Sequence, residues 1–185
     1  MVIMNRRTFL SNSICSSMVG VFTPSILNAG INDPSKNKSI KLNNQNTNEK
    51  LEVTFWRNDW FDADAFEEIE YFFRDWREDA THKIDPYLID LLFNISQKIG
   101  GDKEIIVLSG YRTPKTNLWL QKHPKYRAAK DSLHMFGRAV DFTVPSKKLS
   151  TVRDYARSFQ SGGVGYYPGK HFIHVDTGRE RYWKS

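Results

Sequence analysis

The chain has 185 residues, 39% of them hydrophobic and 26% charged, with a formal net charge of +6 and one cysteine. A single cysteine excludes an intrachain disulfide framework, and scattered Lys and Arg with no recognised module argue against a nucleic-acid partner. Moderate basicity suits simple solubility or an anionic wall or membrane surface equally well.

At the amino terminus, Asn5-Arg6-Arg7-Thr8-Phe9-Leu10 resembles the twin-arginine export motif. Ile14 to Leu27 follows as a modestly apolar stretch broken by Ser, Cys, Gly and Pro. It is too short and too weakly apolar for a membrane span, so residues 1–29 are expected to be an export signal cut near Asn28-Ala29. An uncleaved anchor is the alternative. Cys15 lies inside this segment without the Leu and small residues of a lipobox. Losing residues 1–29 removes two arginines and no acid, leaving a mature chain of charge +4 with no cysteine and no expected transmembrane span. The expected destination is the periplasm or cell envelope. Residues 30–50, rich in Asn, Lys and Ser, read as a flexible leader. Residues 51–185 are enough for one domain with one core.

Within that domain, Leu51 to Trp56 alternates as a strand does. Asp62 to Arg77 reads as a helix with Phe66, Ile69, Phe73 and Trp76 on one face. Asp85-Pro86 is a helix start, with Asp as cap and Pro in the first turn. Leu88, Leu91, Leu92, Ile95 and Ile99 then recur at helical spacing until Gly100-Gly101 stops the run. Glu104 to Ser109 is nearly all apolar and predicts a central strand, delivering Gly110-Tyr111-Arg112 to its end. Thr113 to Lys130, with a short helical patch at Leu118-Trp119-Leu120, reads as a functional loop. Ala139 to Val144 is the next strand, Leu149 to Phe159 an amphipathic helix, and Gly162-Gly163-Val164-Gly165-Tyr166 leads into a strand pair ending at His174. The fold class is α+β, a small antiparallel sheet with flanking helices.

Three residues in this half carry ligand chemistry. His134 and Asp141 are seven residues apart around Gly137, and His174 comes from a second β-rich run, so a turn and two strands can bring two imidazoles and a carboxylate together. Two His and one carboxylate, with a fourth position for water, is a usual set for catalytic zinc, which points to a hydrolase. Side-chain alternation puts His174 and Asp176 on one strand face and turns Ile173 and Val175 into the core. Asp176 is therefore expected beside the metal, as general base or as the group that orients a ligand histidine.

Ser132-x-His134-x-x-Gly137-x-Ala139-x-Asp141 with a later His resembles the zinc signature of the LAS metallopeptidases (lysostaphin, D-Ala-D-Ala peptidases, hedgehog). Ser109-Gly110-Tyr111-Arg112, Gly162-Gly163-Val164-Gly165-Tyr166-Tyr167-Pro168, Phe172-Ile173-His174-Val175-Asp176-Thr177-Gly178 and Arg181-Tyr182-Trp183 narrow the similarity to the murein endopeptidase K group, from about Lys50 to the end. The resemblance implies a hedgehog or D-Ala-D-Ala peptidase-like domain over residues 51–185, holding one zinc per chain and hydrolysing peptide cross-links of peptidoglycan (murein). Alternatives are a D,D-carboxypeptidase or dipeptidase on stem peptides, and a non-catalytic zinc module that binds the wall.

Arg112, a permanently charged fork, is expected at the developing oxyanion or a substrate carboxylate, the related peptidases carrying an Arg in this place. Ser132 is expected to orient substrate, with Tyr111 and Tyr166 lining the cleft and Trp183 in the core or a lid. The base is open. Several family members use an acidic residue three positions before the last ligand or a His two positions before it. This chain has His171 and Phe172 there. Asp176 is preferred over His171 from its strand face. His82 and His123 read as exposed polar residues, and Asn117 resembles a family position.

Overall fold

The computed structural model describes residues 36–185 apart from residues 102 and 127. The expected export signal over residues 1–29 lies outside the described residues. Eight strands, β1 (Lys38–Asn44), β2 (Lys50–Arg57), β3 (Trp60–Phe61), β4 (Ile105–Ser109), β5 (Ala139–Thr143), β6 (Gly163–Tyr167), β7 (Phe172–Asp176) and β8 (Arg181–Lys184), form one sheet in the order β3-β2-β1-β4-β5-β7-β6-β8. The class is α+β. The sheet is larger than expected and is mixed, because β1 runs parallel to β4 and β8 runs parallel to β6.

The flexible leader expected over residues 30–50 fails from Lys38 onward. Residues 38–44 are β1, paired antiparallel with β2 and parallel with β4, and its Ile40 and Leu42 are only 2% and 3% exposed. Two inward apolar side chains and a full ladder of backbone hydrogen bonds outweigh the polar composition. The folded domain therefore starts before residue 51.

Among the described residues, four α-helices flank the sheet. α1 (Ala63–Phe72) starts at Asp62, whose carboxylate accepts from the Asp64 and Ala65 amides. It ends five residues short of the expected Arg77. Asp75 and Ala80 instead close a small loop through their backbones, and Trp76 is 40% exposed rather than in the core. α2 (Pro86–Ile99) follows its sequence signals, with Asp85 capping the Tyr87 amide and Gly100 ending the helix at φ 126°. α3 (Pro114–Lys122) turns much of the expected loop into helix, with Thr113 as its cap. α4 (Leu149–Ser158) packs on α2, β6 and β7.

Val140, Phe142, Ile173 and Val175 point from β5 and β7 into one core shared with Phe66, Ile69, Leu88, Leu92 and Ile95 of the helices. By strand alternation the opposite face of β5 and β7 presents Asp141, His174 and Asp176. No helix among the described residues is long and apolar enough to cross a membrane.

Candidate metal centre

Strand register assembles most of the site. Asp141 of β5 lies opposite His174 of β7, and an irregularity between Val107 and Ser109 brings Ser109 of β4 opposite Asp141. His134 comes from a 3-10 turn, Leu133–Phe136, ended by Gly137 at φ 63°. That left-handed angle suits Gly, and a Cβ there would come within 2.0 Å of the Lys83 carbonyl oxygen, so the turn cannot carry another residue without moving.

Three ligand atoms converge: His134 Nε2 is 3.3 Å from His174 Nδ1 and 3.3 Å from Asp141 Oδ1, and His174 Nδ1 is 2.8 Å from Asp141 Oδ1. A tetrahedral zinc with ligand distances of about 2.0–2.1 Å separates its ligands by roughly 3.3–3.4 Å, so the set fits that ion with a small opening of one edge. The far nitrogen of each ring fixes the tautomer. His134 Nδ1 faces the Gly110 carbonyl at 2.7 Å, which can only accept, so Nε2 keeps its lone pair. His174 Nε2 faces Asp176 Oδ2 at 2.9 Å, which leaves Nδ1 as the free donor atom. These three residues are the possible metal-binding group of the described structure.

The electrostatics follow from burial beside charge. Desolvation, with Arg112 adding to it, pushes the His134 pKa down to about 4, favouring the neutral ligand form. Burial also opposes charge on His174, but hydrogen bonds to Asp141 and Asp176 outweigh it and raise its pKa. Asp141 is buried, yet its neighbours His134, Arg112 and His174 hold its carboxyl well below the usual range. Arg112 donates from Nε to Ser109 Oγ at 2.8 Å and pairs through Nη2 with Asp141 Oδ2. Its backbone amide donates to the His134 carbonyl at 3.1 Å, tying the β4 end to the ligand turn.

Asp176 occupies a place that sequence alternation alone does not reveal. It is 0% exposed and sits behind His174. Its Oδ1 accepts from the Gly163 amide (3.1 Å), the Gly178 amide (2.8 Å) and Arg181 Nη1 (3.0 Å), while Oδ2 accepts from Arg181 Nη2 (2.7 Å) as well as His174. Gly163 is required by this clamp, since a Cβ would lie 2.5 Å from Asp176 Oδ2 and 2.6 Å from Arg181 Nη1. Sequence alone gives Arg181 no role, because its partner, five residues earlier, lies across a turn.

A cavity of about 630 Å³ opens over the three ligands, lined among others by Arg77, Arg112, Ser132, Tyr167, Phe172 and Trp183. Ser132 and Arg112, both expected at the site, line this cavity. Tyr166 and Tyr111 are not on this wall: Tyr166 lies under Arg153, and Tyr111 stacks on His82 at 4.7 Å, both packed against the core. The cleft tyrosine is Tyr167, two residues past Gly165, which lies opposite His174, so its side chain shares the site face. Trp183 Nε1 donates to Tyr167 Oη at 2.8 Å, and burial raises the Tyr167 pKa. His171 is exposed and off the lining, as are His82 and His123. Asn117 is buried and donates from Nδ2 to the Ala129 carbonyl at 3.0 Å, holding the segment that leads to Ser132.

The peptidoglycan L,D-endopeptidase MepK family model matches residues 32–183. A probable peptidoglycan L,D-endopeptidase MepK of Haemophilus influenzae is 36% identical over 182 residues, 98% of this chain and 96% of that protein. The peptidoglycan L,D-endopeptidases MepK of Escherichia coli K12 and Shigella flexneri are each 37% identical over 144 residues, 78% of this chain and 79% of theirs. No solved structure matches the chain. With a family model over most of its length and relatives matched over 79% to 96% of theirs, the chain belongs to the peptidoglycan L,D-endopeptidase MepK family.

Proposed function

We propose that this protein is a zinc-dependent peptidoglycan L,D-endopeptidase that hydrolyses peptide cross-links of murein in the periplasm, carried there by a twin-arginine-type signal over residues 1–29. The observation that carries the reading is the convergence of His134 Nε2, Asp141 Oδ1 and His174 Nδ1 within 3.3 Å of one another, under a cavity that also holds Arg112. Membership of the family and the names of its relatives supply the substrate.

His134, Asp141 and His174 hold one zinc, which supplies a Lewis acid for the scissile carbonyl and lowers the pKa of water. Arg112, fixed by Ser109 and Asp141, presents permanent positive charge to the oxygen that becomes negative during attack. Ser132 and Tyr167 orient the peptide from the wall. Asp176 is assigned to holding His174 in its ligand tautomer rather than to the base role, because both its oxygens are occupied and it has no exposure to the cavity. His171 is exposed and off the cavity lining, so neither of the two bases considered from the sequence is retained.

Purified cross-linked murein, digested with the zinc-loaded and the chelated protein, tests the reading. The expected result is release of monomers from L,D-linked dimers, seen by mass, with zinc only. Cleavage confined to the terminal residue of free stem peptides would make the protein a carboxypeptidase, and intact murein with zinc bound would make it a binding module.

A further inference from the structure

The cavity wall holds a second arginine with a different setting from Arg112. Arg77 lies in the loop closed by the Asp75 and Ala80 backbones, and that loop is anchored on the site. Asp75 is 2% exposed; its Oδ1 accepts from the Arg77 amide at 3.1 Å, and its Oδ2 accepts from both the amide and the hydroxyl of Thr113 at 2.9 Å. Thr113 follows Arg112, so one buried carboxylate fixes the main chain of both arginines. The Arg77 guanidinium lies 4.1 Å over the Trp76 ring and 5.6 Å from the Trp119 ring, a cation held on aromatic faces.

Among the described residues no carboxylate forms an ion pair with Arg77. Asp75, the acid that acts on it electrostatically, has both oxygens committed to Arg77's own amide and to Thr113. Burial pulls the Arg77 pKa below the usual guanidinium value, and Arg112 adds to that shift. Besides Arg112, three other cations line the cavity: Arg181 is paired with Asp176 at 2.7 Å, Lys170 donates to the Lys125 carbonyl at 2.8 Å, and the Lys125 ammonium, a point charge rather than a planar fork, lies 5.8 Å from the Tyr126 ring. Of the acids on the lining, Asp141 belongs to the ligand set and Asp131 lies on the wall. Arg77 is thus a positioned planar fork facing the reaction cavity without a protein counter-ion, and that fork matches a carboxylate in two parallel hydrogen bonds.

We infer that Arg77 binds a free carboxylate of the peptide substrate close to the scissile amide, an inference that rests on the peptidase reading above. Two synthetic cross-linked peptides, identical except for a carboxylate or a carboxamide beside the scissile amide, test it. The zinc-loaded protein is expected to favour the carboxylate peptide roughly tenfold or more in KM. Arg77→Gln should raise KM for that peptide about as much while leaving kcat and the carboxamide peptide unchanged, and Arg77→Lys should fall between. Calorimetric titration with the carboxylate product and its carboxamide counterpart should rank wild type, Lys and Gln in the same order for the first and show no ranking for the second. Failure of the wild type to cut either peptide overturns the peptidase reading, and Arg77 is then judged by calorimetry alone. A wild type indifferent to the carboxylate in both measurements, or an Arg77→Gln protein weakened equally on both ligands, overturns the inference.

Discussion

The floor and the wall of the cavity are built on opposite principles. On the floor nearly every polar atom has a protein partner: each ligand imidazole is held at its far nitrogen, Asp141 is shared with Arg112, and Asp176 accepts five hydrogen bonds. On the wall, the Arg77 guanidinium is held on aromatic faces with no carboxylate partner among the described residues, and the Tyr167 hydroxyl, which accepts from Trp183, keeps its own proton to donate. A floor committed in this way fixes reaction chemistry, because a ligand set must be rigid to hold its geometry. Open groups on a wall suit recognition.

Removing a floor ligand should break the most. His174→Ala leaves two protein ligands and an Asp176–Arg181 pair without its imidazole, so bound zinc and hydrolysis should disappear together. Metal analysis of the purified variant beside a murein digest checks this; full turnover without metal would refute the assignment. Arg112→Ala should come next, a loss of roughly a hundredfold or more in kcat with zinc retained, since the ligands stay and only the positive charge facing the developing oxyanion is gone. A near-normal rate with metal bound would reduce Arg112 to a support for Asp141.

The convergence of His134, Asp141 and His174, the position of Arg112 at the end of β4, and α2 were legible because each is written in short-range signals: a fixed spacing around Gly137, strand alternation, an Asp-Pro cap with helical periodicity. What escaped depends on pairing across the sheet. In β1 the sequence Lys-Ser-Ile-Lys-Leu-Asn-Asn shows only two large apolar residues, and their burial comes from neighbours β2 and β4 that composition does not announce. Tyr166 and Tyr167 differ only in strand face, and the face is known once Gly165 is set opposite His174. Asp176 was placed on the correct face, but its distance from the cavity is decided by Arg181 and Gly163, which reach it from β8 and β6.

Asp176→Asn tests the division between holding and reacting. An amide of the same shape keeps one acceptor but loses the charge opposite Arg181 and the strong acceptor for His174 Nε2. Zinc affinity should fall about 10–100-fold, and turnover at saturating zinc should recover most of its wild-type value. Turnover lost by several orders of magnitude at full occupancy would return Asp176 to the base role.

The smallest effect is expected on the wall, at Tyr167. Its hydroxyl accepts from Trp183 Nε1 at 2.8 Å, and Tyr167→Phe removes that acceptor while leaving the ring stacked 4.4 Å from Phe172. Turnover relative to KM should drop only about 3–10-fold, the scale of one hydrogen bond between neutral groups. The pH profile adds a second reading. Burial raises the Tyr167 pKa above the ordinary phenol value, so the hydroxyl stays protonated through neutral and mildly alkaline pH and can neither act as a base nor create a basic limb there. Wild type and Tyr167→Phe should therefore show parallel pH profiles, offset by a constant factor up to about pH 9. An alkaline limb present in the wild type and absent from the variant would mean that Tyr167 ionises during turnover, and would move it from the wall to the chemistry of the floor.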